Sequence, residues 1–139
     1  PALPAAPAPV VTDKVVLGAN VLFAFGRHQK KDLLPGAQQR LDELVGALER
    51  AYSRIDHIEV VGHTDRLGQP AQNLLLSRNR AETMLKVLRD KGVTAPLSAL
   101  GRGSAEPVQD CPGSRPSPAL IECLQPNRRV EFNIRGLRR

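Results

Sequence analysis

Apolar and polar side chains alternate most regularly near the end of the chain, over residues 129–134. The six residues are Arg129, Val130, Glu131, Phe132, Asn133 and Ile134. A period of two is typical of a strand with one buried face, because successive side chains point to opposite sides of the sheet. The pattern therefore predicts a strand with Val130 and Phe132 toward the core and Arg129 on the opposite face.

Two longer segments repeat their apolar residues with the spacing of a helix. Pro35 can open the first helix, because proline at the first helical position gives up no hydrogen bond. Pro70 can open the second, and Gly92 can end it in the left-handed conformation. The first predicted stripe consists of Ala37, Leu41, Leu44, Val45, Leu48 and Tyr52. The second consists of Leu74, Ala81, Met84, Leu85 and Leu88.

Three further strands and a short helix are predicted around these elements. Residues 14–25 predict a strand followed by a turn, and residues 26–34 a polar loop. The β-branched run at residues 58–63 predicts a central strand, residues 97–103 a third strand and residues 119–124 a short helix. The order strand, helix, strand, helix, strand, short helix, strand is typical of an α/β fold with helices packed on a mixed or parallel sheet.

The first residues have a different composition from the rest. Residues 1–12 contain four prolines and no charged residue, which favours an extended, stiff spacer. We therefore divide the chain into a Pro- and Ala-rich linker at 1–13, one domain at 14–136 and a basic tail at 137–139. The chain lacks a starting Met and a charged-then-apolar leader, so we interpret it as an excised domain or a processed fragment.

The charge is strongly positive, with 20 Lys and Arg against 14 Asp and Glu, a net charge of +6. Such an excess attracts anionic polymers, among them nucleic acid, anionic glycans and lipid headgroups, although solvated basic faces would also account for it. The sequence has no zinc-finger spacing and no aromatic pair of the RNA-binding type, so we expect no nucleic-acid partner.

Two cysteines, Cys111 and Cys123, flank a loop that contains Pro, Ser and Gly. Their even number and the lack of a nearby His or third Cys favour a disulfide over a metal site, and two free thiols in a cytosolic protein remain the alternative. Closing a loop of about 13 residues would contribute roughly 3 kcal/mol of stability. A disulfide would place the domain in an oxidising compartment.

The segment over residues 62–81 carries the most specific chemistry and reads GHTDRLGQPAQNLLLSRNRA. It places the carboxylate of Asp65 just after a strand and the guanidinium of Arg80 on the following helix. An acceptor and a donor in one pocket suit a zwitterion, a ligand with an ammonium and a carboxylate on one carbon. The segment resembles the signature of the OmpA C-terminal family, T-D-x-x-G, then N-x-x-L-S, then x-x-R-A. The resemblance extends over about residues 14–136.

This resemblance implies a two-layer fold with a four-stranded mixed sheet, and non-covalent binding of peptidoglycan through its diaminopimelate residue. The family's principal ligand contacts correspond to Asp65 and Arg80, and further pocket positions correspond to Thr64 and Asn73. Asn73 and Arg80 lie at i and i+7 of the predicted helix, on one polar edge. The alternative is a structural salt bridge between Asp65 and Arg80 in a basic domain that binds another anionic polymer, such as nucleic acid.

Arg128 and Arg129 resemble the family's motif at the start of the last strand, and we expect one of them to line the pocket. The sequence does not decide between the two, and solvated arginines at the strand edge are the alternative. The chain departs from the family pattern at Gly26, where many relatives carry an acidic or amide residue. Only backbone groups could contribute there.

Catalysis and metal binding are not expected. Ser77 lies inside a predicted helix and not on a G-x-S-x-G elbow. His28, His57 and His63 lack the spacing of metal ligands, and no motif requires a cofactor. Family members with a paired-cysteine loop carry a Pro- and Ala-rich hinge after an outer-membrane β-barrel. The resemblance therefore implies a periplasmic domain of an outer-membrane protein, with the linked β-barrel absent from this chain.

Overall fold

Four strands form one mixed sheet in the structure, a computed structural model that describes residues 9–139. The strands are β1 Val10–Gly18, β2 Tyr52–His63, β3 Leu97–Gly101 and β4 Arg129–Arg138. Their spatial order is β1-β4-β2-β3. β4 runs antiparallel to both β1 and β2, whereas β2 and β3 are parallel. The predicted α/β fold with a four-stranded mixed sheet is confirmed.

Four helices accompany the sheet in the described residues. They are α1 Ala19–Leu22, α2 Ala37–Ala51, α3 Pro70–Asp90 and α4 Pro118–Cys123, with short 3-10 turns at Lys30–Asp32 and Gln125–Asn127. The main core lies between α2, α3 and alternate residues of the two central strands: Ile58, Val60, Val130, Phe132 and Ile134. No helix in residues 9–139 has the length and apolar character needed to cross a membrane.

Helix α3 approaches the sheet closely because two strand positions lack a side chain. A Cβ at Gly62 of β2 would overlap the carbonyl oxygen of Ser77, and a Cβ at Gly101 of β3 would overlap the backbone nitrogen of Arg78. The hydroxyl of Ser77, itself buried, accepts a hydrogen bond from the Gly103 N–H at 2.9 Å. This close packing fixes the helix that carries Asn73 and Arg80 relative to the end of β2.

A Gly62→Ala substitution is expected to lower the free energy of unfolding by about 1–3 kcal/mol, because the added methyl group overlaps a helix backbone that cannot move aside. Gly46→Ala is the matched control. A Cβ at Gly46, in the middle of α2, meets only the end of the Arg50 side chain at 3.1 Å. This variant is expected to gain about 0.5–1 kcal/mol from helix propensity. Urea denaturation of both variants tests the prediction, and equal effects would contradict it.

Several predicted boundaries are wrong. β1 begins at Val10, inside the predicted linker, because Val10 pairs with Leu137 of β4. It ends at Gly18, and α1 follows so that Ala19 and Leu22 enter the core. The rest of the linker prediction, over residues 1–8, falls outside the described part of the chain. β4 extends to Arg138, so most of the predicted basic tail belongs to the sheet.

Other differences concern the two long helices and their connections. β2 begins at Tyr52, directly after α2, so Tyr52 belongs to a strand and not to the helical stripe. β3 ends at Gly101, two residues early, and Gly103 adopts a positive φ of 56°. Leu74 was predicted to be buried but is 52% exposed. The reason is that the backbone of Leu74 itself lies over Gly103 at the end of the sheet.

Candidate functional site

A cavity of about 300 Å³ lies where β2 ends and α3 begins. Its polar lining comes from three separate elements: Thr64 and Asp65 after β2, Asn73 and Arg80 on α3, and Arg128 before β4. Its apolar lining comes from Phe25, Leu67, Leu76, Pro116 and Ile121. The structure therefore brings together five of the six predicted ligand residues, and Arg129 is the one it does not place there.

Asp65 is the acceptor of the cavity and is only 8% exposed. One carboxylate oxygen accepts the backbone N–H of Leu67 at 2.9 Å, and the other accepts a hydrogen bond from Arg128 Nη1 at 2.6 Å. The alternative of a structural salt bridge between Asp65 and Arg80 is therefore wrong, because the ion-pair partner of Asp65 is Arg128. A carboxylate has about four acceptor positions, so Asp65 retains capacity for an ammonium group.

Arg80 is the donor of the cavity and carries a buried charge. It is 6% exposed, its Nε donates to the Arg27 carbonyl at 2.8 Å, and its guanidinium carbon lies 5.3 Å from the centroid of the Phe23 ring. Within residues 9–139 no carboxylate lies within 4.0 Å of it. Burial, and secondly the charge of Arg128, lowers the pKa of Arg80 to about 10. The site therefore holds a desolvated cation with no counter-ion of its own.

Arg128 and Arg129 have different environments, which answers the question that the sequence left open. Arg128 lines the cavity, where Nη1 also donates to the Ile121 carbonyl at 3.1 Å. Arg129 lies on the sheet face opposite the core, as predicted, but is only 4% exposed. The loop after β3 covers it, and its guanidinium donates to Glu131 at 2.8 Å and to the Glu106 carbonyl at 3.0 Å.

Thr64 and Asn73 hold the loop that presents Asp65. The Thr64 hydroxyl donates to the Asp65 carbonyl at 2.9 Å, and its backbone N–H donates to the Gly103 carbonyl at 2.8 Å. Asn73 Nδ2 donates to the Leu67 carbonyl at 2.8 Å. These bonds fix the loop on both sides of Asp65, so both residues help to position the acceptor.

Comparison with known proteins places the chain in a family. A model of the OmpA family matches residues 22–115.

The chain belongs to the OmpA family.

Among its relatives, outer membrane protein A of Yersinia pseudotuberculosis is 43% identical over 94% of this chain and 37% of its own length. Outer membrane protein P5 of Haemophilus influenzae is 40% identical over 97% of this chain and 38% of its own length. The chain thus spans less than half the length of these relatives.

Solved structures confirm the fold. A MotB-like protein from Desulfovibrio vulgaris has a TM-score of 0.68 and 27% identity, with 95% of this chain and 82% of that chain covered. The cell wall anchor of the type VI secretion system (T6SS) of Pseudomonas aeruginosa has a TM-score of 0.67 and 23% identity, with 91% and 86% covered. At 23% identity, the likeness to the Pseudomonas aeruginosa protein shows a shared fold only. The predicted two-layer OmpA-like architecture is confirmed.

A disulfide joins Cys111 and Cys123 in this OmpA-family domain, as predicted. The loop that it closes contributes Pro116 and Ile121 to the cavity wall. Arg66 fixes the loop from the other side by donating to the Cys111 carbonyl at 2.9 Å. Sequence reasoning identified the disulfide but not these two wall residues, and their position between the paired cysteines was the available signal.

One further residue of the cavity lining, Phe25, was not predicted from the sequence. Phe25 is 90% exposed at the cavity, and Gly26 beside it has a φ of 69°, in the left-handed region that favours glycine. The Arg27 carbonyl accepts from Arg80. The departure from the family pattern at Gly26 thus leaves this wall to an aromatic side chain and to backbone groups.

A buried ionic cluster lies beneath the site, on the face of the sheet away from the main helices. Glu131 of β4 accepts from Arg129, and His63 of β2 lies 3.3 Å from the same carboxylate without hydrogen-bond geometry. His63 is 1% exposed. Burial, and secondly the charge of Arg129, lowers the pKa of His63, although Glu131 and Glu106 oppose this. Burial raises the pKa of Glu131, but Arg129 outweighs it, with smaller help from His63 and Lys14, so the net direction is down.

Both shifts make the domain less stable in acid. The folded pKa of His63 lies below the ordinary 6.5, so the unfolded chain takes up this proton first and stability falls as the pH drops below 6.5. Glu131 contributes stability above the ordinary 4.5 that is lost as the pH falls through its lower folded pKa. Urea denaturation between neutral pH and about pH 5 is expected to show the His63 contribution, and His63→Gln to reduce it. An unchanged stability over this range would contradict the prediction.

Proposed function

We propose that this domain binds peptidoglycan non-covalently through its diaminopimelate residue, and so anchors an outer-membrane protein to the cell wall from the periplasmic side. The observation that carries the proposal is that Asp65 and Arg80 face one cavity without pairing with each other. The relatives named outer membrane protein A, and the fold shared with a cell wall anchor, support the same function. We further propose that a β-barrel precedes the domain in the whole protein.

The side chain of diaminopimelate ends in a carbon that bears both an ammonium and a carboxylate. The ammonium would donate to the remaining acceptor positions of Asp65, and the carboxylate would accept two parallel hydrogen bonds from Arg80. Arg80 has this capacity because it lines the cavity and has no carboxylate within 4.0 Å among residues 9–139. The ligand would thus supply the anion that the buried cation lacks.

The apolar lining strengthens both ionic contacts. Phe25, Leu67, Leu76 and Ile121 place apolar surface around the polar groups. Charge-assisted hydrogen bonds are stronger in such surroundings than in bulk water. The same lining would pack against the methylene groups of the diaminopimelate side chain.

Sacculi of two chemical types provide the test. Lysine at the third position of the stem peptide has the ammonium of diaminopimelate but lacks the adjacent carboxylate. The domain is expected to sediment with diaminopimelate-type sacculi, to be released by free diaminopimelate, and to remain in solution with lysine-type sacculi. Equal retention on both types would contradict a role for Arg80 in carboxylate recognition.

Binding of an oligonucleotide, measured in the same experiment, tests the alternative that the net charge of +6 reflects nucleic-acid binding. We expect only weak binding, which weakens steeply as salt is added, because nothing but phosphate attraction would support it. Sacculus binding would instead depend on Asp65 and Arg80 in the cavity, so we expect its affinity to change little at the same salt concentrations. The opposite order of salt sensitivity would favour the nucleic-acid function.

A further inference from the structure

A second cavity of about 260 Å³ adjoins the first. The two share four lining residues: Phe25, Arg80, Ile121 and Arg128. The remaining lining of the second cavity consists of Ala19, Asn20, Phe23, Ala24 and Leu34. The two cavities thus adjoin at Arg80 and Arg128, and the function proposed above uses only the first.

The walls of the second cavity are mostly carbon. Ala19 and Phe23 are 3% and 2% exposed, and within the described part of the chain the amide of Asn20 is the one uncharged polar side chain in the lining. Two of the wall residues are alanines, which leave space that a larger side chain would fill. A small apolar group would therefore fit here and would bury its surface against Phe23 and Leu34.

Among residues 9–139, the only charged residues that line the second cavity are Arg80 and Arg128. Asp65 lies in the first cavity, where it already accepts from Arg128 Nη1. The three ionised groups at the junction therefore carry a net positive charge before any ligand binds. The diaminopimelate ammonium and carboxylate cancel each other, so binding in the first cavity leaves this excess in place. A second anion bound beside Arg128 would neutralise it.

We propose that the second cavity binds a carboxylate-terminated alanine joined to the diaminopimelate residue. This inference rests on the proposed function. Arg80 would hold the carboxylate at the end of the diaminopimelate side chain, and Arg128 would hold the carboxylate of the alanine. The alanine methyl group would lie against the apolar wall. The site then recognises a stem peptide that ends at this alanine in preference to one that ends in an amide.

Titration calorimetry with three ligands tests this assignment on the unmodified domain. The first is diaminopimelate with its other amino-acid end blocked as an acetyl amide, so that only the side-chain zwitterion remains. The second adds D-alanine with a free carboxylate, and the third adds D-alanine amide. The free carboxylate is expected to tighten binding by about tenfold over the first ligand, and its amide to lose most of that gain.

Ala24→Leu provides the matched variant, because Ala24 lines the second cavity and not the first. It is expected to remove the tenfold gain while leaving the affinity for the first ligand unchanged. Ala24→Ser, which adds little volume, is expected to behave like the unmodified domain. A loss of affinity for the first ligand as large as that for the second would overturn the assignment.

The outcomes separate this inference from the proposed function. Binding of neither diaminopimelate ligand would contradict the proposed function. Equal binding of the first and second ligands by the unmodified domain would overturn only the second cavity's assignment, and this comparison does not depend on how any variant folds. A gain from a γ-glutamyl group on the amino side of diaminopimelate, with none from alanine, would overturn the choice of occupant.

Discussion

Replacing Arg80 by glutamine is expected to reduce affinity for diaminopimelate-type sacculi by roughly 100-fold, which corresponds to about 2.7 kcal/mol. The change removes the only guanidinium in the cavity that has no carboxylate partner within residues 9–139. Glutamine retains a donor, but it cannot supply two charged parallel hydrogen bonds. Co-sedimentation over a range of sacculus concentrations measures the loss.

The same variant is expected to be at least as stable as the unmodified domain. Burial and the charge of Arg128 lower the pKa of Arg80 to about 10, which means that the fold disfavours the charged form. Neutralising the side chain relieves this cost and offsets the lost bond to Arg27. A binding residue that lowers stability is a recognised cost of function. A large fall in the urea midpoint would show instead that Arg80 is structural.

Arg78→Gln is the control for net charge. Arg78 lies on the same helix, carries the same charge and is exposed, where it pairs with Glu82 at 3.1 Å. Both variants remove one positive charge from α3, so a general attraction to an anionic polymer would weaken equally in each. Loss of binding in Arg80→Gln alone would support recognition in the cavity.

Glu131→Gln is expected to lower the free energy of unfolding by about 3 kcal/mol, the largest stability effect that we predict for a single charge. Glu131 is 6% exposed and lies 2.8 Å from Arg129, which is 4% exposed. Without the carboxylate, Arg129 becomes a buried cation that retains only carbonyl partners. Urea denaturation at neutral pH measures the effect.

Two further variants show whether the loss of stability in Glu131→Gln comes from the unpaired charge of buried Arg129. Arg129→Met combined with Glu131→Gln removes both charges, and its cost is expected to be smaller than the sum of the two single changes. Glu82→Gln disrupts an exposed pair with Arg78 and is expected to cost less than about 1 kcal/mol. If Glu131→Gln lowers the free energy of unfolding no more than Glu82→Gln does, the buried pair of Glu131 and Arg129 does not stabilise the fold as we describe.

Local patterns were sufficient to predict the four strands, the two long helices and the short helix α4, but not α1. The helices at residues 37–51 and 70–90 are long and have capping prolines or periodic apolar stripes, and the last strand alternates regularly. The start of β1 was mispredicted for a non-local reason. Val10 belongs to β1 only because Leu137 of β4 lies beside it, a pairing across most of the chain that no local window contains.

The composition of the cavity was largely predictable, whereas its internal pairing was not. Asp65 follows β2 and Arg80 lies on the next helix, so chain order alone places them near each other. The partner of Asp65 is Arg128, because β4 inserts between β1 and β2 and brings its first residues beside the end of β2. The alternation of apolar and polar residues along each strand does not reveal the order of the strands in the sheet. The burial of Arg129 likewise depends on a loop that crosses the far side of the sheet.

The position of β1 has a mechanical consequence. The strand enters at Val10 beside Leu137, and it ends at Gly18 beside Arg129, next to the cavity. Nine residues of extended chain therefore separate the two ends by roughly 27 Å. Tension between a wall-bound cavity and the preceding chain would run along the strand, loading its bonds to β4 together in shear. They would resist such a pull collectively instead of opening one after another.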